Sequence, residues 1–229
     1  MTSRFDCQDP TDRTAGLEAA RQAISAKRCV VLPTDTVYGI AADAFSPQAV
    51  ATLLAAKGRG RTMPPPVLMP GIATLDGLAT AVSEDARRFA NEFWPGALTL
   101  ILRAQPSLTW DLGETKGTVA LRVPDDAVAR EILDATGPLA VSSANRSGQP
   151  AATTADDAEE QLGEAVEVYL SDGVRPESGE ALASTIVDCT GSVPRVVRQG
   201  ALPLAELQRI APHTVGLGEE LREEPAPEA

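Results

Sequence analysis

The segment Pro33–Ile40, PTDTVYGI, directly follows the apolar run Cys29–Leu32, CVVL. The apolar run predicts a fully buried strand, and the segment after it is a loop rich in hydroxyl groups and closed by Gly39. Two further polar segments are Lys57-Gly58-Arg59, after a helical pattern, and Ser142–Gly148, SSANRSG, after a second apolar run. Hydroxyls, amides and fixed cations at the ends of buried strands suit a site for a phosphorylated anion.

Helical and strand patterns alternate along the chain. Helices are predicted at 14–27, 47–56, from Ser83, 126–135, 155–162 and from Pro203, and strands at 29–32, 97–102, 119–123, 139–141, 166–170, 184–188 and 195–197. The alternation predicts an α/β layer architecture with a mixed, twisted sheet. Since no linker or internal repeat divides the chain, we predict one domain at 14–212, an N-terminal extension at 1–13 and an acidic, disordered tail at 213–229.

Composition and charge limit the classes of function that this chain can have. The 229 residues suit one domain with a substantial core, and the formal charge of −12 argues against a surface that binds nucleic acid throughout but allows a local positive cleft. Cys7, Cys29 and Cys189 lie far apart and outside any C-x-x-C pattern, so we expect reduced thiols and no structural zinc. No apolar run approaches bilayer length and Met1–Gln22 carries charges throughout, which predicts a cytoplasmic protein without a membrane anchor.

Seven segments resemble those of the YrdC/Sua5 family, the L-threonylcarbamoyladenylate synthases, and they follow one another along the chain in the same order as in the family. Besides the three polar segments they are Trp94–Leu102, Val119–Pro124, Ser184–Asp188 and Val197–Gly200. The likeness runs from about Gly16 to about Gly200. It implies a YrdC-like open, twisted mixed sheet flanked by helices, with a central concave cleft, in the short, single-domain form of the family.

The resemblance also implies a reaction. L-threonine, bicarbonate and ATP give threonylcarbamoyl-AMP and pyrophosphate, the first step of N6-threonylcarbamoyladenosine (t6A) modification of tRNA. ATP is then a substrate that carries Mg²⁺ on its phosphates, and no protein-bound metal is expected. Contact with the downstream t6A-transfer proteins is a hypothesis, and tRNA binding is expected to be weak or indirect. Because the single histidine, His213, lies outside every motif, a Ser-His-Asp or Cys-His mechanism has almost no support.

By this resemblance Lys57 and Arg59 are the catalytic residues, whose cations offset the charge on the carboxylate, carbamate and phosphates. The alternative is a pair of solvated cations that meet the C-terminal dipole of the preceding helix. The residues expected to contact L-threonine are Thr36, Arg122, Ser143 and Ser184. The residues expected to contact the nucleotide are Arg59, Thr118, Asn145, Thr153 and Arg198.

Three of the polar residues have competing explanations. Arg122 lies in an apolar strand and needs a partner, which is either a substrate carboxylate or an internal Asp or Glu. Arg198 either reaches the nucleotide or forms a surface salt bridge of little energetic value. For Asp35, turn formation through its own backbone is the favoured explanation.

The chain departs from the family pattern after Arg59. Gly60 follows where the family usually has proline, Met63 precedes Pro64 in place of an Asn-Pro pair, and Leu68 replaces a histidine. One nucleotide contact and one threonine contact are therefore expected to be missing, or to be replaced by Arg61 or Thr62.

Two other functions compete with the synthase. The first is a non-catalytic RNA-binding YrdC-like module, but two Trp, two Tyr and four Phe leave few rings for base stacking. The second is a different carbamoyl transfer on the same scaffold.

Overall fold

The sheet of this protein is open and mixed, and helices pack on it, in a computed structural model that describes residues 2–219. The strands are β1 (Ser3–Asp6), β2 (Val30–Leu32), β3 (Gly39–Asp43), β4 (Val67–Leu68), β5 (Ala79–Thr80), β6 (Leu98–Ala104), β7 (Thr118–Arg122), β8 (Leu139–Ser143), β9 (Val168–Ser171), β10 (Thr185–Asp188) and β11 (Arg195–Arg198). The α-helices are α1 (Pro10–Ser25), α2 (Pro47–Ala56), α3 (Leu75–Leu78), α4 (Glu84–Phe93), α5 (Ala127–Thr136), α6 (Ala155–Leu162) and α7 (Leu204–Ile210).

The strand order is β1-β9-β2-β3-β8-β4-β7-β6-β10-β11, with β5 paired to β6. Four pairings are parallel, namely β1 with β9, β2 with β9, β4 with β7 and β6 with β10. The pairs β2–β3, β3–β8, β4–β8, β5–β6, β6–β7 and β10–β11 are antiparallel. The predicted α/β architecture with a mixed sheet is therefore confirmed.

Local sequence signals set the ends of several helices. At α2, Ser46 accepts a hydrogen bond from the backbone N–H of Ala49, and Pro47 occupies the first turn, as predicted. At α4, Ser83 likewise accepts from the N–H of Ala86. Helix α1 begins at Pro10, four residues before the predicted start, because Asp9 accepts from the N–H groups of residues 11 and 12.

One half of the sheet is covered on both faces. In β2, Val30 and Leu32 pack in a cluster with α1 and α5, while Val31 packs on the opposite face with α2 and α6. Burial on both faces explains why the run from Cys29 to Leu32 is apolar without interruption.

The other half of the sheet is covered by helices on one face, where Leu98, Leu100 and Leu102 of β6 pack in a cluster with α4 and α7. The intervening residues Thr99 and Ile101 point to the opposite face, which no helix within residues 2–219 covers, and this face becomes the floor of a cavity.

Both ends of the described chain contribute to the sheet or pack against it. Ser3–Asp6, within the predicted N-terminal extension, forms the edge strand β1. Near the other end, Thr214 and Val215 are buried, and Val215 forms a β-bridge with Arg195. The rest of the predicted tail, 220–229, lies outside the described residues. Within 2–219 no helix is both long and apolar enough to cross a membrane.

Candidate functional site

A cavity of about 370 Å³ lies on the uncovered face of the sheet. It is floored by residues of β6, β7 and β10 and walled by the loop after β2, the segment after α2 and the end of β8. The predicted site residues that line it are Thr36, Arg59, Thr118, Arg122, Ser143, Ser184 and Arg198. Seven of the predicted residues, from six separate segments, therefore meet around one space.

Arg122 uses three of its donors on the protein itself. Its Nε donates to Gly96 O at 2.8 Å, one terminal nitrogen donates to Thr36 Oγ1 at 3.0 Å, and the other donates to Asp35 Oδ1 at 2.6 Å. The guanidinium therefore has an internal carboxylate partner, which was one of the two alternatives for it. Two of its five N–H groups remain, and the side chain lines the cavity.

Asp35 has a role beyond turn formation. Besides the bond from Arg122, its Oδ1 accepts a 3.0 Å bond from the backbone N–H of Asp125. The favoured expectation for Asp35 was therefore wrong, because the carboxylate ties the loop after β2 to the end of β7 rather than to its own backbone.

Two hydroxyl groups and Arg198 meet where the start of β10 lies between the end of β11 and β6. Ser184 Oγ lies 2.7 Å from Thr99 Oγ1 and accepts from Arg198 at 3.0 Å. Two further bonds from Arg198 go to Ser184 O. The alternative of a surface salt bridge does not apply to Arg198, because no carboxylate within the described residues pairs with it.

Arg59 completes a set of three guanidinium groups around the cavity. Its Nε donates to Ser147 Oγ and a terminal nitrogen donates to Ser142 Oγ, each at 3.1 Å, and no carboxylate among residues 2–219 pairs with it. Burial lowers the pKa of Arg59 below its usual value. Partial burial, with the charges of Arg122 and Arg59, lowers that of Arg198. Three cations with one carboxylate between them give the cavity a positive field, although the chain is acidic overall.

Lys57 lies behind this wall and does not line the cavity. Its side chain is 1% exposed, and its ammonium donates to Ser143 O, to Asn145 O at 2.6 Å and to Asn145 Oδ1 at 3.3 Å. Burial and then the charge of Arg59 lower the pKa of Lys57 to about 7. The lysine joins the end of α2 to the loop after β8.

Two predicted nucleotide residues also lie outside the cavity lining. The amide of Asn145 is used internally, since Nδ2 donates to Arg146 O and Gln149 O while Oδ1 accepts from Lys57. Thr153 donates through its hydroxyl to Asp157 Oδ2 at 3.0 Å, at the start of α6. Both residues shape loops next to the site.

The departures from the family pattern border the cavity. Met63 and Leu68 line it, with Pro64, Pro65 and Pro66 between them. Arg61 does not line it, because its guanidinium pairs with Asp111 at 2.8 Å. This pair joins the segment after α2 to the segment that carries Leu112 and Thr115, which also line the cavity.

Thr99, Leu112 and Thr115 also line the cavity and were not predicted from the sequence. The alternation in Leu98–Leu102, LTLIL, was a usable signal for Thr99, because a lone polar residue between buried leucines faces the other side of the sheet. No local pattern marks Leu112 or Thr115, because long-range contacts such as the Arg61–Asp111 pair bring their segment to the cavity.

Known proteins of one family are similar to this chain in sequence and in fold. The family model described as "Sua5_yciO_yrdC: Telomere recombination" matches residues 22–200. A putative threonylcarbamoyl-AMP synthase of Mycobacterium leprae (strain TN) is 51% identical over 210 residues, which are 92% of this chain and 94% of that protein. The threonylcarbamoyl-AMP synthase of Bacillus subtilis (strain 168) is 31% identical over 212 residues, 92% of this chain and 59% of that protein.

Among solved structures, Pyrococcus abyssi Sua5 complexed with L-threonine matches with a TM-score of 0.83 at 28% sequence identity. The match covers 94% of this chain and 62% of that chain. The predicted YrdC-like fold is confirmed.

Proposed function

The chain belongs to the Sua5/YciO/YrdC family, and from that premise we propose that it makes threonylcarbamoyl-AMP from L-threonine, bicarbonate and ATP, with release of pyrophosphate. The family predicted from the seven segments is thereby confirmed. The reaction is the first step of t6A modification of tRNA, and the non-catalytic RNA-binding alternative is not favoured.

The observation that carries this proposal is the convergence of Arg59, Arg122 and Arg198 on one cavity. The threonine amine and bicarbonate form a carbamate and release water. A carbamate oxygen then bonds to the α-phosphorus of ATP as the bond to pyrophosphate breaks. Both reactants are anions, so fixed cations and exclusion of water accelerate this step more than a covalent nucleophile would.

The hydroxyl groups and cations divide between the two substrates. Thr36, Ser143 and Ser184 bind L-threonine, and the two free N–H groups of Arg122 take its carboxylate. Arg59, Arg198 and Thr118 bind the phosphates and nucleotide. Lys57 was predicted to be catalytic, and Asn145 and Thr153 to bind the nucleotide. Because their polar groups are bonded internally and do not line the cavity, we assign all three to positioning the surrounding loops instead.

Mg²⁺ enters on the phosphates of ATP as part of the substrate. No cluster of three or more His, Cys, Asp or Glu side chains within residues 2–219 is arranged to hold a metal ion. A cytoplasmic location fits the use of ATP and the free cysteines at 7, 29 and 189. The product passes from this enzyme to separate transfer proteins. The contact of the enzyme itself with tRNA is weak or indirect.

Pyrophosphate release tests the proposal. It is measured from ATP and bicarbonate with L-threonine and, in parallel, with L-serine, L-valine or no amino acid. We expect release that depends on threonine. Arg198→Gln is expected to lower kcat/KM by about a hundredfold, because it removes a cation from the phosphates.

Arg195→Gln is the matched control for this substitution. Arg195 lies on the same strand, β11, but donates to Glu219 O and does not line the cavity, so it should retain the activity of the unmodified protein. Folded protein that releases no pyrophosphate with threonine, or equal loss in the two variants, would contradict the proposal.

A further inference from the structure

Thr34 is the centre of a small hydrogen-bond network in the cavity wall. Its Oγ1 lies 2.6 Å from Val37 O and 3.0 Å from Thr36 Oγ1, and both threonines are 3% exposed. A carbonyl oxygen can only accept, so the 2.6 Å contact takes the single hydroxyl hydrogen of Thr34. The backbone N–H groups of Thr36 and Val37 donate to Thr34 Oγ1 at 3.2 and 3.3 Å.

This arrangement decides the direction of the hydroxyl of Thr36. Thr34 has no hydrogen left, so the 3.0 Å contact between the two oxygens is a hydrogen bond only when Thr36 donates to Thr34. The two lone pairs of Thr34 Oγ1 are then shared among three donors, of which the backbone N–H groups are the more distant, at 3.2 and 3.3 Å. On its other side, Thr36 Oγ1 accepts from Arg122 at 3.0 Å. One lone pair of this oxygen remains, and Thr36 lines the cavity.

We propose that Thr34 is a positioning residue that fixes the Thr36 hydroxyl as a hydrogen-bond acceptor, so that this point of the cavity selects an N–H or O–H donor of the amino-acid substrate. This role rests on the proposed function, and it specifies which hydrogen-bonding group the amino-acid subsite offers to the substrate. L-threonine offers two such donors, its amino group and its side-chain hydroxyl.

The hydroxyl pair on the other wall has no fixed direction. Thr99 Oγ1 has Ser184 Oγ as its partner at 2.7 Å, and either oxygen satisfies that bond as donor. Ser184 can therefore donate to the substrate or accept from it. The protein thus fixes the hydroxyl of Thr36 as an acceptor toward the substrate, whereas it leaves the hydroxyl of Ser184 free to donate or to accept.

Calorimetric binding of L-threonine in the absence of ATP tests the role of Thr34. Thr34→Val removes the acceptor of the Thr36 hydrogen, so that hydrogen can turn into the cavity and oppose a substrate donor. We expect the Kd for L-threonine to rise about tenfold, the scale of one lost hydrogen bond, while ATP binding is unchanged. If Thr34→Val does not fold, Thr34→Ala, a smaller side chain without a hydroxyl, carries the same expectation.

Two further variants separate positioning from a purely structural effect. Thr34→Ser keeps the hydroxyl and is expected to restore binding to within about threefold of the unmodified protein. Thr214→Val is the matched control, because Thr214 is also buried and donates to a backbone carbonyl, Ala211 O, at 2.7 Å, but lies outside the cavity lining. It should bind L-threonine normally.

The analogue L-2-aminobutyrate, which lacks the side-chain hydroxyl, identifies the donor. An equal loss of its binding in Thr34→Val assigns the amino group, whereas a loss confined to L-threonine assigns the hydroxyl. Unchanged threonine binding by Thr34→Val, or failure of Thr34→Ser to restore it, would overturn the role of Thr34 alone. Unmodified protein that binds no L-threonine would overturn both this inference and the proposed function.

Discussion

Lys57 shows how burial and hydrogen bonding oppose each other at a single residue. Removal from water favours the neutral amine, and the nearby charge of Arg59 acts in the same direction, so the pKa is lowered to about 7. Three oxygen acceptors around the nitrogen match the three N–H groups of the ammonium instead.

A stability measurement decides between these effects. Between about pH 7 and pH 10.5, the usual lysine value, the unfolded chain keeps the proton of Lys57 while the folded protein loses it. The unfolded state then binds more protons, so the free energy of unfolding should rise with pH across this window. Urea unfolding at pH 7, 8 and 9 measures it, relative to Lys57→Met, which has no titratable group there.

The same pH dependence in the two proteins would contradict this expectation and show that the three acceptors keep Lys57 charged when folded.

Residue types and spacing predicted seven of the polar side chains that meet at the cavity, but also Lys57, Asn145 and Thr153, which do not line it. They did not predict which groups these side chains bind. Thr36, Arg122 and Ser184 were predicted for the site and line one cavity. The pairing of Arg122 with Asp35 could not be inferred, because it joins residues 87 positions apart whose distance depends on the packed sheet. The burial of Lys57 was unpredictable for the same reason, since its acceptors are 86 and 88 positions away.

At the scale of elements, the capped starts of two helices were predicted, whereas strands β1, β3, β4 and β5 were not. The starts of α2 and α4 are set within four residues by a serine cap, so the sequence predicts them. Strands β1, β4 and β5 have four, two and two residues, and their partners lie far along the chain. Such strands exist through pairing and carry no periodic pattern of their own.

The cap of α4 gives a prediction at this scale. Ser83→Ala removes the acceptor for the N–H of Ala86 and should lower the free energy of unfolding by about 1 kcal/mol. Threonine-dependent pyrophosphate release should not change, because α4 packs on the face of the sheet opposite the cavity. Urea unfolding of Ser83→Ala and of Ser83→Asp, which restores an acceptor, checks this expectation. Equal stability of the alanine variant would mean that the cap contributes nothing.

For the molecule as a whole, the cavity gathers residues from both halves of the sheet. Thr36 and Gly39 belong to the half with helices on both faces, and Ser184 and Arg198 belong to the other half. A ligand bound between them therefore favours the complete fold over partly unfolded forms.

Thermal unfolding measures this linkage. Each substrate that binds only the folded protein should add about 2.7 kcal/mol at a hundred times its Kd, which raises Tm by several degrees. L-threonine with ATP should raise Tm more than L-valine with ATP. Equal shifts with the two amino acids would mean that the cavity does not select threonine.

The two tryptophans stand in contrasting surroundings. Trp94 is buried in the cluster on the helix-covered face of the sheet and donates through Nε1 to Leu98 O. Trp110 is half-buried, stacks on Phe45 with the ring centroids 5.6 Å apart, and directly precedes Asp111, the partner of Arg61. The fluorescence of Trp110 can therefore report on movement of the segment that carries Leu112 and Thr115, with buried Trp94 as the internal reference.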